Sequence, residues 1–115
     1  MPPTRAPIDH IHALLRDGVY QTLLLTRRQA LHARAAAWFA GRDLRLEAEH
    51  LERAGDPAAA AAYERAARAE LAAYRNAEAL ELVRAGRSVG GEAAAALALL
   101  EGEVLLELGE AVAAE

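Results

Sequence analysis

An all-α protein, built from antiparallel helical hairpins stacked side by side, is the fold class this sequence predicts, and three observations predict it. Alanine supplies 31 of the 115 residues and leucine 18, and both are strong helix formers. Valine and isoleucine together number seven, with one phenylalanine, which leaves little of the β-branched and aromatic material that strands use. Glycine recurs just ahead of an acidic or hydroxyl residue: Gly41 before Asp43, Gly55 before Asp56, Gly86 before Ser88 and Gly109 before Glu110. A glycine can take the left-handed conformation that closes a helix, and an Asp or Ser just beyond can cap the next one.

Six helices follow from that punctuation. The first covers Asp9–Leu24, with Ile11, Leu15, Val19 and Leu23 on one face and Gly18 as the point where it would bend or break. The second begins after Thr26 and covers Arg27–Ala40, its face made by Leu31, Ala35, Trp38 and Phe39. The third, Leu44–Ala54, presents Leu44, Ala48 and Leu51. In the run Ala54-Gly55-Asp56-Pro57, Gly55 ends that helix, Asp56 caps the next, and Pro57 sits in its first turn, where a missing N–H costs nothing. A loop this short makes its two helices antiparallel neighbours. The fourth helix, Pro57–Tyr74, faces inward with Ala60, Tyr63, Ala67, Leu71 and Tyr74; the fifth, Ala77–Gly86, with Ala79, Leu80 and Val83. Spacings of three and four are the amphipathic helical period.

The sixth helix, Glu92–Leu108, differs. Leu97, Leu100, Val104 and Leu108 form one apolar stripe, and Leu99 and Leu106, with Ala95 and Gly102 between them, form another. A helix that is apolar on two sides has neighbours on both. Alanine-rich surfaces, such as the five consecutive alanines Ala58 to Ala62, let helix axes approach toward the short end of the ~8–10 Å range.

Charge and composition exclude several roles. With no cysteine, disulfides and thiolate metal sites are absent. No apolar run reaches the ~20 residues of a membrane span, and the opening MPPTRAPIDH has no signal-peptide core, so the expectation is a soluble cytoplasmic chain with no membrane partner. All 13 basic side chains are Arg; residues 1–57 hold eight of them against seven acids, residues 58–115 five against ten. From Ser88 onward there are six Glu and no Arg, which argues against a nucleic-acid surface, because phosphate contacts need cations. Arg27, Arg28 and Arg34 read as the polar face of a helix start. The one serine and scattered glutamates form no nucleophile–base constellation, so no catalytic residue, metal site or cofactor is expected. The histidines lack the four-residue spacing that joins two ligands on one helix; His12 and His32 are expected to hydrogen-bond at the seam between the first two helices. Glu64 and Arg68 form an i,i+4 pair.

Several elements occur in an order that resembles a known family. These are His12-Ala13-Leu14, then Arg16, Asp17 and Tyr20, then Arg27, Arg28, Leu31 and His32, then His50 with Ala54-Gly55-Asp56, and finally Asn76 to Leu80. Across most of residues 8–110 the chain resembles the helical region that follows the ATPase and winged-helix modules of large bacterial STAND-type signalling ATPases. Those proteins are joined to class III adenylate or guanylate cyclases or to LuxR-type DNA-binding domains. The resemblance implies a tetratricopeptide-like α-α superhelix: a flexible lead over 1–7 and one helical-repeat domain over 8–115, a fragment of a longer protein. The implied role is a non-catalytic interaction or regulatory scaffold whose partners are modules of the parent chain or another protein. Candidate contact residues are Tyr63, Tyr74, Leu99 and Leu106. The alternative is a stand-alone dimerisation domain that pairs its last helix with a second copy.

Overall fold

A computed structural model describes residues 5–114, with side chains described over 8–110. Five helices follow one another: α1 (Arg5–Phe39), α2 (Leu44–Arg53), α3 (Ala59–Ala72), α4 (Asn76–Val89) and α5 (Ala94–Ala114). The chain is all-helical, with no strand among the described residues. Each helix packs on the next, and α3 also reaches α5. Cross-helix pairs run in opposite directions along neighbours. Glu52 meets Tyr63 while Glu47 meets Arg65, so α2 and α3 are antiparallel.

The expectation of six helices is corrected to five. The two helices expected over Asp9–Leu24 and Arg27–Ala40 are one 35-residue helix. Neither Gly18 nor Thr26 interrupts it. A glycine in a helix interior costs only ~1 kcal/mol relative to alanine. The Thr22 and Thr26 hydroxyls donate to the carbonyls of Gly18 and Thr22, each at 2.9 Å. Residues 1–4 of the expected lead lie outside the described residues, whereas Arg5–Pro7 already belong to α1.

The starts of α2 to α5 fall within two residues of the sequence expectations, whereas α4 and α5 run on past their expected ends at Gly86 and Leu108. The Asp43 carboxylate caps α2 by accepting from the Leu46 N–H at 3.0 Å. Gly55 adopts φ 73° as expected; Asp56 accepts from the Ala58 N–H at 2.9 Å within the turn, so Pro57, expected in the first turn of the helix, lies before α3, whose N-cap is Ala58. Two glycines expected to end helices lie inside them. Gly109 falls within α5. Gly86 is buried in α4, which runs on to Val89 and ends at Gly90. A Cβ on Gly86 would stand 2.9 Å from Tyr63 Cβ and 3.0 Å from Leu97 Cδ1, so this glycine lets α3 and α5 close on α4.

The core lies between α3, α4 and α5. Leu97, Leu100 and Val104 are fully buried against Leu82 and Val83, as the first stripe of the last helix required. Of the five-alanine run, Ala59, Ala60 and Ala62 are buried while Ala58 and Ala61 face solvent. The alanines thus set helix spacing, and Leu, Val and Tyr63 fill the gaps. The molecule measures 82 × 28 × 25 Å. Its length comes from α1, which at ~1.5 Å per residue far overshoots the ten-residue α2 on which it packs.

Candidate functional site: two uncovered apolar faces

The overshoot leaves the first half of α1 without a neighbouring helix among the described residues. Ile8, Ile11, Leu14, Leu15, Val19, Leu23 and Leu25 are each between 52 % and 63 % exposed. Leu14, Leu15, Val19 and Leu23 surround a shallow hollow floored by Gly18 and Thr22, where a Cβ on Gly18 would meet nothing within 4 Å. This face belongs to a longer pattern. Ile8, Ile11, Leu15, Gly18, Thr22 and Leu25 alternate steps of three and four, and the alternation continues unbroken through Gln29, His32, Ala36 and Phe39. Such spacing is the seam of left-handed helix pairing. The last four positions use it: they are half-buried or buried, and they pack on α2. The first six carry the same seam past the end of α2.

At the second face, on α5, the structure places Leu99 and Leu106 at 73 % and 68 % exposed, with Leu105 beside them. Both α5 residues expected to meet a partner are therefore on the surface. Tyr74 is 85 % exposed, but it lies beyond the end of α3 at φ 62° rather than on its inner face. Tyr63 is different. It is 3 % exposed and belongs to the core, where its hydroxyl donates to Glu52 Oε1 at 2.6 Å. Burial, followed by that bond to a carboxylate, pushes the phenol well above its ordinary range. Tyr63 therefore locks α3 to α2 and offers no surface to a partner.

The α1–α2 seam holds a cluster the sequence paired differently. His32 was expected to meet His12, but both lie on α1, twenty residues apart. Its partner is His50 of α2, with Nδ1 to Nδ1 at 3.0 Å. The Phe39 ring stacks on His50 at 5.6 Å, and Trp38 meets Phe39 edge-on. Arg42 lies over the Trp38 ring at 4.4 Å. A contact between two Nδ1 atoms holds only while one carries a proton and the other does not. Desolvation lowers the His32 pKa, and His50, Arg53 and Arg28 lower it further. No carboxylate is among the groups acting on it. With Arg28 and Arg53 near it, His32 disfavours a further positive charge.

The remaining ion pairs are structural. Glu64 and Arg68 pair at 3.1 Å as their spacing required, and Glu101 of α5 takes both Arg84 and Arg87 of α4. No helix is long and apolar enough to cross a membrane among the described residues. No protein-family model, curated protein or solved structure matches the chain.

Proposed function

We infer that the chain is a non-catalytic interaction scaffold: stacked, tetratricopeptide-like helical hairpins that present apolar helix faces to other protein surfaces. The observation that supports this most directly is the pair of uncovered faces on the first and last helices, α1 and α5, with a closed alanine-rich core between them. Soluble proteins rarely leave contiguous apolar surface of this extent without a partner. The order of the His-Ala-Leu, Arg-Arg and Ala-Gly-Asp elements adds the proposal that the partner modules are those of a signalling ATPase, which the scaffold would couple to its output domain.

The test is binding between this chain and the ATPase and winged-helix modules of the same reading frame, supplied as a separate polypeptide. Leu99→Glu with Leu106→Glu is expected to weaken that binding about tenfold or more, as removal of central apolar contacts does. A reading frame without a phosphate-binding loop, or modules that do not bind, overturns the ATPase assignment. A second reading, dimerisation through α5, is favoured by the exposed Leu99, Leu105 and Leu106. Against it, α5 carries Glu103, Glu107 and Glu110 and no Arg, so two α5 faces bring like charges together.

A further inference from the structure

The first six positions of the α1 seam form a helix-pairing surface with no helix on it. We propose that a second copy of this chain covers it, the two α1 arms pairing antiparallel about a two-fold axis between Leu15 and Gly18; this names the partner of one face on which the scaffold reading rests.

The spacing of the six residues is the first argument. From Ile8 to Leu25 the steps are three, four, three, four, three, which read the same from either end. An isologous interface requires a patch that matches its own reversed copy. Reversal sets Ile8 level with Leu25 of the second copy, Ile11 with Thr22, and Leu15 with Gly18. The two innermost kinds of layer therefore join a large side chain to a smaller residue. Leu15 enters the hollow over Gly18, where there is open space for it. That is the knob-into-hole fit of paired helices.

Charge gives the second argument. Within 8–25 the charged residues other than histidine are Asp9, Arg16 and Asp17. All three fall outside the seam and its immediate flanks, which carry Leu14, Gln21, His12 and Val19. No ion must be desolvated on pairing, in contrast to the glutamate-edged face of α5.

Size and direction complete the case. The four aliphatic seam residues Ile8, Ile11, Leu15 and Leu25 with the flanking Leu14 and Val19, each still offering roughly 100 Å², would bury up to about 1,200 Å² over two copies, the lower edge of the size of stable interfaces. Only the antiparallel direction avoids a collision. From Gln29 onward α2 occupies the same face of α1, so parallel arms would drive two α2 helices into one space. Antiparallel arms place the two α2 helices at opposite ends of the paired stretch, with Gln29 of one copy about 37 Å along the axis from Gln29 of the other.

The chain has no cysteine, so introduced thiols report without interference. A chain carrying Ile11→Cys, mixed with one carrying Thr22→Cys, is expected to give a mixed disulfide dimer on mild oxidation. Neither chain alone should cross-link, because like positions lie about 16 Å apart along the axis, beyond disulfide reach. Sedimentation should show a monomer–dimer equilibrium for the natural sequence. Leu15→Glu should weaken it about tenfold or more while leaving helicity intact, and Leu106→Glu should leave it unchanged. Self-cross-linking at position 11, loss of the dimer with Leu106→Glu in place of Leu15→Glu, or a monomer at every concentration up to millimolar overturns the proposal. So does an arm that becomes protected only when a different protein is added. A monomer that still binds the ATPase modules sinks self-pairing and leaves the scaffold reading standing. A dimer that ignores those modules upholds self-pairing and overturns the ATPase assignment.

Discussion

Gly86 and Gly102 are both helical glycines in a chain that writes alanine almost everywhere else, yet they answer to different demands. Gly86 is buried where α3, α4 and α5 meet, and a methyl there would press on Tyr63 Cβ at 2.9 Å, an atom too close to the backbone to swing away. Overpacking of this kind costs about 1–3 kcal/mol, more than the ~1 kcal/mol of helix propensity that alanine returns. Gly86→Ala is therefore expected to lower the urea midpoint. Gly102 has open space where its Cβ would stand, so Gly102→Ala should raise the midpoint by up to ~1 kcal/mol of stability. If both substitutions stabilise, the close approach at Gly86 is not a real constraint. The two glycines are indistinguishable by local sequence. Glycine at 86 reads equally well as a helix end, because what forbids a methyl there is Tyr63, twenty-three residues away. Tyr63 was legible as an inward residue of its helix but not as a lock on Glu52, since nothing near position 63 announces the carboxylate of the preceding helix. Asp43 and Gly55 could be read correctly because caps and left-handed turns are local events.

At the scale of the element, the same division explains why α1 was expected as two helices. Gly18 and Thr26 are weak interruptions, and whether a weak signal breaks a helix depends on what the flanking turns do. The row Ile11, Leu15, Val19, Leu23 catches the eye because every step is four, but the row that continues onto α2 alternates three and four. It is visible only once the helix is seen to be unbroken. Joining the halves also moves His32 away from His12 and onto His50, which gives α1 a pH-dependent attachment. The folded pKa of His32 is lowered, so below its ordinary value of 6.5 the unfolded chain binds a proton that the folded chain resists. Stability contributed by this group is complete above pH 6.5 and is lost as the pH falls through the lowered folded value. Arg28 of α1 and Arg53 of α2 both disfavour an imidazolium at His32. Denaturant midpoints should therefore fall on acidification from pH 7 toward pH 5. In His32→Gln that slope should be shallower. An unchanged slope would show that the pair does not couple α1 to α2.

For the molecule as a whole, stability and exposure are distributed along the chain in opposite senses. The buried aliphatic side chains Leu82, Val83, Leu97, Leu100 and Val104 belong to α4 and α5, whereas among the described side chains of α1 only Ala36 is buried. Leu100→Ala should cost about 2–5 kcal/mol, as deletions from a filled core do. Leu15→Ala in dilute solution should change stability by no more than ~0.5 kcal/mol, the usual range for an exposed site. The arm before Gln29 is held by little besides its own backbone hydrogen bonds, whereas most of a helix's stability in a protein comes from packing one face against a neighbour. Local opening is easiest where buried contacts are fewest. Amide hydrogen exchange in dilute solution should therefore be fastest over residues 8–25 and slowest in α4 and the first half of α5, with α1 beyond Gln29 in between. Raising the protein concentration should slow exchange selectively over residues 8–25, because a second copy then supplies the helix that α2 is too short to provide. Protection of the arm equal to that of α4 in a dilute monomer would mean that the arm is stable unaided, and the energetic reason for covering it would be gone.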